Sequence, residues 1–184
     1  MKSIKELFLF SGVIIFILFS FLFTVYIASF AQSVILQKKE DVVYQLPYPG
    51  ILPDHPLYFA KIIRDQMMVF FTRDPIKKAE LYLLFSDKRV AMAQELVKKN
   101  KYQLSITTFS KGEKYFLKIV SLLKQAKKQG VSATNEFKDK LKAANKKHQQ
   151  AINFLLSNTP KNLASQIELL YKLNEEIKKE LERL

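Results

Sequence analysis

The chain has 184 residues with a formal net charge of +13 at pH 7, and 48% of its residues are hydrophobic. The absence of cysteine excludes a disulfide scaffold and a thiolate metal site, and two histidines leave little material for most histidine-based metal or catalytic sites. Only four glycines and six prolines supply little turn chemistry for a strand-rich fold, so the composition favours one helical domain with an appendage.

The first predicted element is an apolar N-terminal segment. No charged residue occurs from Leu7 to Gln37, where Phe, Leu and Ile dominate. A helix needs about 20 apolar residues to cross a bilayer. We therefore expect residues 1–37 to act as a transmembrane anchor or signal peptide at the cytoplasmic membrane. Lys2 and Lys5 then remain inside, and the rest of the chain lies outside the cytoplasm.

The same segment also carries a possible signal-peptidase site. Ser29 and Ala31 place small residues at the −3 and −1 positions that such an enzyme requires. A cleavable apolar region is usually about 7 to 15 residues long, and this run is longer. We therefore favour an uncleaved anchor, with secretion after cleavage following Ala31 as the alternative.

A proline-rich strap over residues 38–55 comes next. Four of the six prolines of the chain fall in or just after it, and they exclude a helix there because each fixes its own φ and lacks an N–H group. The strap also contains the apolar residues Leu46, Tyr48, Ile51 and Leu52. We expect these side chains to pack on the following helices, in preference to a strap that binds a separate partner protein.

Residues 56–184 are predicted to form an all-α bundle of about four long antiparallel helices with one shorter helix alongside. Helix starts are indicated by Asp54, Asp74 and Thr159, each just ahead of a proline, and helix ends by Asn100 and Gly130. Apolar spacings of three and four residues support these limits. The predicted helices are Pro56 to Phe71, Pro75 to Lys99, Tyr102 to Gln129, Ala133 to Ser157 and Pro160 to Arg183.

Two polar residues interrupt the apolar seams of the last two helices. His148 lies on the stripe that contains Leu141 and Ile152, and we interpret it as a satisfied core or boundary histidine rather than a ligand. Asn174 breaks the last seam, as an asparagine does in coiled coils where it specifies pairing. Our preferred interpretation is a boundary position at which the amide reaches water, and the alternative is a self-association surface.

The strap and the start of the bundle resemble a bacterial family of helical proteins, the domain of unknown function 5667 family. The resemblance rests on the run from Leu46 to Lys61, followed by the motifs beginning at Asp74 and at Asp87, and it covers roughly Leu46 to Phe116. It implies an extracytoplasmic helical module, often behind a membrane segment, and it implies no activity. The motif residues of the strap and the first helix are Pro47, Pro49, Gly50, Pro53, Asp54, Pro56, Leu57, Tyr58 and Lys61.

The charged residues of the first two helices suggest a contact between them. Asp65 lies among apolar residues of the first helix, and Arg89 lies on the next helix. We hypothesise an ion pair between Asp65 and Arg89 that fixes how these helices dock. The alternative is an exposed pair, which would contribute only about 0–1 kcal/mol.

Most of the excess positive charge is concentrated in residues 101–149. This stretch has 12 lysines and no arginine against three acidic residues, a local balance of +9. Such a face would attract anionic lipid or an anionic envelope polymer, although a biased proteome composition would produce the same lysines. Nucleic acid is a disfavoured partner, because arginine forks and exposed aromatic residues are missing here. The candidate contact residues are Lys111, Lys114, Lys118, Lys138, Lys142 and Lys146.

No arrangement of residues typical of catalysis, cofactor binding or metal binding occurs in the sequence. His55 next to Asp54 could form an acid–base pair, but a first-turn residue beside a helix cap is the ordinary interpretation. We therefore expect a non-enzymatic, membrane-tethered helical interaction or scaffold module of the bacterial cell envelope, without a cofactor. The alternatives are a basic surface that binds anionic lipid or polymer and, ranked lower, a non-catalytic subunit of an envelope enzyme.

Overall fold

A computed structural model describes residues 44–184 of the chain. The predicted anchor over residues 1–37 and the first six residues of the strap lie outside the described residues. Residues 44–184 form one compact unit. None of the helices in this unit is both long enough and apolar enough to cross a membrane.

The described unit is all-α, as the sequence predicted. Residues 44–52 of the strap form no helix or strand, and a turn over residues 53–57 leads into the first helix, so that helix begins two residues later than Pro56. A short 3₁₀ turn, Lys161–Leu163, precedes the last helix. The helices are α1 (Tyr58–Phe71), α2 (Pro75–Lys98), α3 (Tyr102–Lys128), α4 (Asn135–Asn158) and α5 (Ala164–Glu182).

Local side-chain chemistry explains most helix ends. Asp74 accepts a 2.8 Å hydrogen bond from the Lys77 N–H and caps α2, with Pro75 in the first turn. Asn100 and Gly130 both have positive φ, 59° and 81°, which lets the chain turn away after α2 and α3. These three predictions are confirmed.

Two predicted caps are wrong. Asp54 does not cap α1, because its carboxylate instead pairs with Lys101 at 2.8 Å and with Lys99 at 3.4 Å. The Thr159 hydroxyl caps no helix either: it is buried without a hydrogen-bond partner, and the 3₁₀ turn after Pro160 has no side-chain cap. Helix α5 therefore begins at Ala164 rather than at Pro160.

Helices α2 to α5 form a four-helix bundle in which each helix runs antiparallel to the next. Ser105, near the start of α3, donates a 2.7 Å hydrogen bond to the Ala93 carbonyl near the end of α2. Helix α2 packs on α3 and α4, and α5 packs on the same two helices. It follows that α3 and α4 occupy opposite corners of the bundle, while α1 lies outside it against α2.

The interior contains two apolar clusters, one towards each end of the bundle. One cluster is centred on Leu83, Phe116 and Leu141, and the other on Val90, Phe109 and Ile152. Each cluster takes residues from all four bundle helices. Burial of these apolar side chains is the main stabilising contribution to the bundle.

Helices α2 and α3 approach closely at Gly112. A Cβ atom at this position would lie 3.1 Å from the Ser86 carbonyl oxygen and 3.2 Å from the Arg89 Cβ. The Ser86 hydroxyl also donates a 2.8 Å hydrogen bond to the Gly112 carbonyl. A larger residue at position 112 therefore has to push the two helices apart.

We expect Gly112→Leu to lower the free energy of unfolding by about 1–3 kcal/mol, because overpacking a tight contact forces backbone shifts. The measurement is urea unfolding of the full chain in a neutral detergent. Gln125→Leu adds the same side chain at an exposed position of α3 and serves as the control. Equal stability of the two variants would contradict the close contact.

Candidate functional site

Lys61 fastens the proline-rich strap to α1. Its ammonium group donates to the Pro49 carbonyl at 3.0 Å and to the Ile51 carbonyl at 3.5 Å, and the residue is only 8% exposed. Burial lowers the pKa of Lys61 to about 8. Gly50 between the two acceptors has a φ of 70°, which glycine adopts without strain. The Pro-Gly and Lys positions of the motif thus form one contact.

The described part of the strap is packed near its start and exposed further along. Tyr44 and Leu46 pack against the two core clusters of the bundle. Tyr48 and Ile51 are 83% and 41% exposed, so the expectation that they pack on the helices is wrong. Lys61 explains this difference, because it holds the strap through backbone carbonyls and leaves these side chains free of the helices.

His55 and Asp54 do not form an acid–base pair. The Nδ1 atom of exposed His55 accepts a 3.1 Å hydrogen bond from the Leu57 N–H and so stabilises the turn before α1. The carboxylate of Asp54 is turned to the lysines after α2. The predicted alternative, a first-turn residue beside a helix cap, is also wrong, because His55 lies in the turn ahead of α1 and Asp54 does not cap that helix.

Helix α1 buries two charged residues and exposes most of its apolar ones. The two buried residues of α1 are Lys61 and Asp65. The opposite side of the helix is apolar and exposed, with exposed fractions up to 79% at Phe70. We call this set the α1 apolar face; it consists of Phe59, Ile63, Met67, Phe70 and Phe71.

The predicted ion pair between Asp65 and Arg89 is wrong. Asp65 pairs with the neighbouring Arg64 at 2.6 Å. Arg89 instead donates from Nη1 to the Phe85 carbonyl at 3.1 Å, and its guanidinium group stacks 4.3 Å from the centre of the Tyr115 ring. A same-helix carbonyl and an aromatic face on α3 therefore take the place of the carboxylate.

A basic cleft opens between α1, α2 and α3. Its volume is about 250 Å³. Arg89 is 5% exposed and its Nε atom has no hydrogen-bond partner. Lys118 lies 5.2 Å from the centre of the Tyr115 ring, and its ammonium group points over the aromatic face. The residues lining the basic cleft are Tyr58, Ile62, Arg89, Lys111, Lys114, Tyr115 and Lys118.

The six candidate lysines do not form one surface. Lys111, Lys114 and Lys118 are exposed and line the basic cleft on α3. The other three lie on α4, at the opposite corner of the bundle, so the structure divides the predicted set. Lys138 donates to the Leu184 carbonyl at 3.0 Å and Lys142 pairs with Asp139 at 3.3 Å, whereas Lys146 is exposed.

A polar layer crosses the bundle between the two apolar clusters. His148 is fully buried, and its Nδ1 lies 2.7 Å from Glu113 Oε1 while its Nε2 lies 2.9 Å from Asp87 Oδ1. The Tyr44 hydroxyl donates to the other oxygen of Asp87, which connects the strap to the layer. The rings of Phe109 and Phe116 meet the imidazole edge-on at 6.3 and 5.3 Å.

His148 carries a proton at neutral pH in this environment. Burial alone would lower its pKa, but the Glu113 and Asp87 carboxylates outweigh burial and raise the pKa from 6.5 to about 9. The imidazolium then donates hydrogen bonds from both ring nitrogens. Desolvation and the bond to Asp87 raise the pKa of the Tyr44 hydroxyl, which stays protonated and donating.

Asn174 completes the layer, and it is neither a self-association surface nor a boundary residue that reaches water. Its side chain is 1% exposed and donates to the Asn145 carbonyl at 3.2 Å and to Glu113 at 3.4 Å. Asn145 returns a 3.1 Å hydrogen bond to the Asn174 carbonyl. The bundle therefore uses this asparagine inside its own core.

Asp87 and Glu113 were not predicted as partners of His148, although the sequence contains a signal for them. Glu113 falls midway between Phe109 and Phe116 on the apolar seam of α3, at the spacing of a core position. Asp87 likewise lies between Leu83 and Val90 on α2. One polar residue at the middle of each of the four seams would have indicated a shared layer.

Comparison with protein families gives one match: the family model described as Domain of unknown function (DUF5667) matches residues 50–180. No curated protein matches the chain, and no solved structure does. The match includes the strap after Pro49, the cleft, the polar layer and nearly all of α5. It therefore extends the resemblance seen up to Phe116 to the second half of the bundle. The chain belongs to the domain of unknown function 5667 family.

Proposed function

We propose that the protein is a membrane-tethered, extracytoplasmic interaction module of the bacterial cell envelope, without catalysis of its own. The observation that carries this proposal is the reversed α1 helix, which buries Lys61 and Asp65 and exposes the α1 apolar face. Exposed contiguous apolar surface is unusual on a soluble domain and marks interaction sites. The apolar N-terminal segment of the sequence supports the tether.

The histidines support the absence of catalysis. His148 is 0% exposed and both of its ring nitrogens are engaged by carboxylates, so a substrate cannot reach it. His55 is exposed, but it accepts a backbone hydrogen bond within a turn. A general acid or base has to lie within hydrogen-bond reach of a substrate proton. Buried His148 does not meet this requirement, and the surroundings of His55 are not organised to meet it.

A second candidate function is the binding of anionic lipid or an anionic envelope polymer. It is favoured by the three α3 lysines of the basic cleft, which are exposed and have no acidic partner among the described residues. Ile62 lines the same cleft from α1. The basic surface therefore borders an apolar helix, a combination that interfacial binding surfaces use.

A photocrosslinking amino acid placed at Phe70 is expected to give a defined adduct in living cells, because this residue is 79% exposed within the α1 apolar face. The same amino acid at Leu169 of α5, which is 62% exposed, is the control and should give no defined adduct. The adducts are separated by electrophoresis and identified by mass spectrometry.

Serine at both Phe59 and Ile63 should abolish the Phe70 adduct without unfolding the bundle, because both side chains are exposed. Absence of any adduct at Phe70, or equal adducts at Phe70 and Leu169, would overturn the proposal that α1 is the interaction surface.

A further inference from the structure

We propose that the basic cleft between α1, α2 and α3 is a binding site for a phosphate group, with Arg89 as the residue that grips the anion. The inference rests on the second function proposed above and deepens it from a diffuse positive surface to a defined site.

Arg89 differs from a solvated surface arginine because its side chain is buried and its guanidinium group is held in place. It is 5% exposed, it lines the cleft, and Nη1 is its one donor atom with a hydrogen bond among the described residues. Nε is buried without a partner. A buried donor without a partner costs free energy, and a guanidinium group matches the oxygens of a phosphate. The stacked Tyr115 ring holds the guanidinium plane in place.

The remaining lining supplies charge and hydroxyl groups without a competing carboxylate. Lys111, Lys114 and Lys118 bring three ammonium groups to the rim, and no acidic residue lines the cleft. Tyr58 contributes a half-buried phenol. Asp65, the nearest acid on α1, is already paired with Arg64. The site therefore carries a net positive charge that an oxyanion would neutralise.

The apolar neighbour of the cleft suits a phosphate carried by an amphiphile. Ile62 lines the cleft from α1, and the α1 apolar face continues along the same helix. A headgroup phosphate in the cleft would leave its acyl chains beside that face. Free phosphate and a lipid headgroup share the same chemistry at Arg89, so the experiment has one arm for each.

The test uses the full chain in neutral detergent with ¹⁵N-labelled arginine. The chain has four arginines, so the Nε–H region of the NMR spectrum holds four signals, and Arg89→Lys identifies the signal of Arg89. Sodium phosphate is titrated against sodium chloride at constant ionic strength. We expect a saturable shift of the Arg89 signal, with the signal of exposed Arg183 unchanged.

Two matched variants locate the site. Lys114→Gln should weaken phosphate binding about five-fold, and Lys146→Gln, the same charge change on α4, should leave the affinity unchanged. In the lipid arm, phosphatidylglycerol or phosphatidylcholine is added to the micelles. A shift of Arg89 with either lipid assigns the headgroup as ligand, and a shift with inorganic phosphate alone assigns the free anion.

An Arg89 signal that does not move, or four arginine signals that move alike, would overturn the proposed site. Binding of fluorescently labelled dextran sulfate to the same protein is measured as well. It distinguishes failure of the phosphate site at Arg89 from failure of the broader proposal that the basic surface binds anionic lipid or polymer. If the polymer binds in a salt-dependent way while the Arg89 signal does not shift, the binding of anionic polymer by the basic surface is supported and the defined phosphate site is rejected. If the polymer does not bind either, both proposals fall.

Discussion

Glu113→Ala is expected to lower the free energy of unfolding by about 3–5 kcal/mol, the usual cost of removing one partner from a buried charge pair. The substitution leaves the His148 imidazolium with one carboxylate and removes one of the two acceptors of the Asn174 amide. Urea unfolding of the full chain in a neutral detergent measures the change.

Glu168→Ala is the control for this experiment, since Glu168 is an exposed glutamate of α5 and its loss should change stability by no more than about 0.5 kcal/mol. Combining Glu113→Ala with His148→Ala tests the pairing itself. The double variant should lose clearly less stability than the sum of the two single variants. Additive losses would show that the two side chains do not stabilise each other.

The stability of the bundle is expected to fall as the pH rises from about 6.5 through about 9. His148 binds its proton more tightly in the folded protein, where the neighbouring carboxylates raise its pKa from 6.5 to about 9. Its contribution is therefore complete below pH 6.5 and is lost as the pH approaches and passes the folded value. A shift of this size corresponds to about 3 kcal/mol.

Unfolding of His148→Gln across the same pH range isolates this contribution, because the variant should show a flatter profile. Lys61 acts in the opposite direction: its pKa is lowered to about 8, so its deprotonation favours the folded state above that pH. The comparison is clearest between pH 6.5 and 8 for this reason. An identical decline in both proteins would show that His148 is not the group responsible.

The helix limits were predictable because they depend on local chemistry. Pro75 with Asp74, Asn100 and Gly130 each impose or permit a backbone geometry that is independent of distant residues. Of the two caps that failed, Thr159 has a buried hydroxyl without a hydrogen-bond partner, and Asp54 has a competing long-range partner. Asp54 pairs with Lys99 and Lys101, which follow the end of α2, and no local sequence pattern in the strap indicates these partners.

The candidate sites were harder to predict, since they depend on which seams face each other. His148 could be placed on an apolar stripe, but its partners are 35 and 61 residues away along the chain. Arg89 was predicted to pair with Asp65, but it contacts the Phe85 carbonyl and the Tyr115 ring. The choice among these partners depends on how α1 docks on the bundle. The reversal of α1 was equally hidden, because a short helix with many apolar residues does not show which side a bundle will cover.

The bond between Tyr44 and Asp87 determines where a mechanical load would enter the domain. Tyr44 joins the bundle at the height of the polar layer, and the strap then runs to the Asp54 contact with Lys99 and Lys101. Tension on the chain ahead of Tyr44 is thus delivered to the middle of α2 before it reaches any helix terminus. The hydrogen bond between Tyr44 and Asp87 would have to break first. The strap can then extend under load while helices α2 to α5 keep their packing.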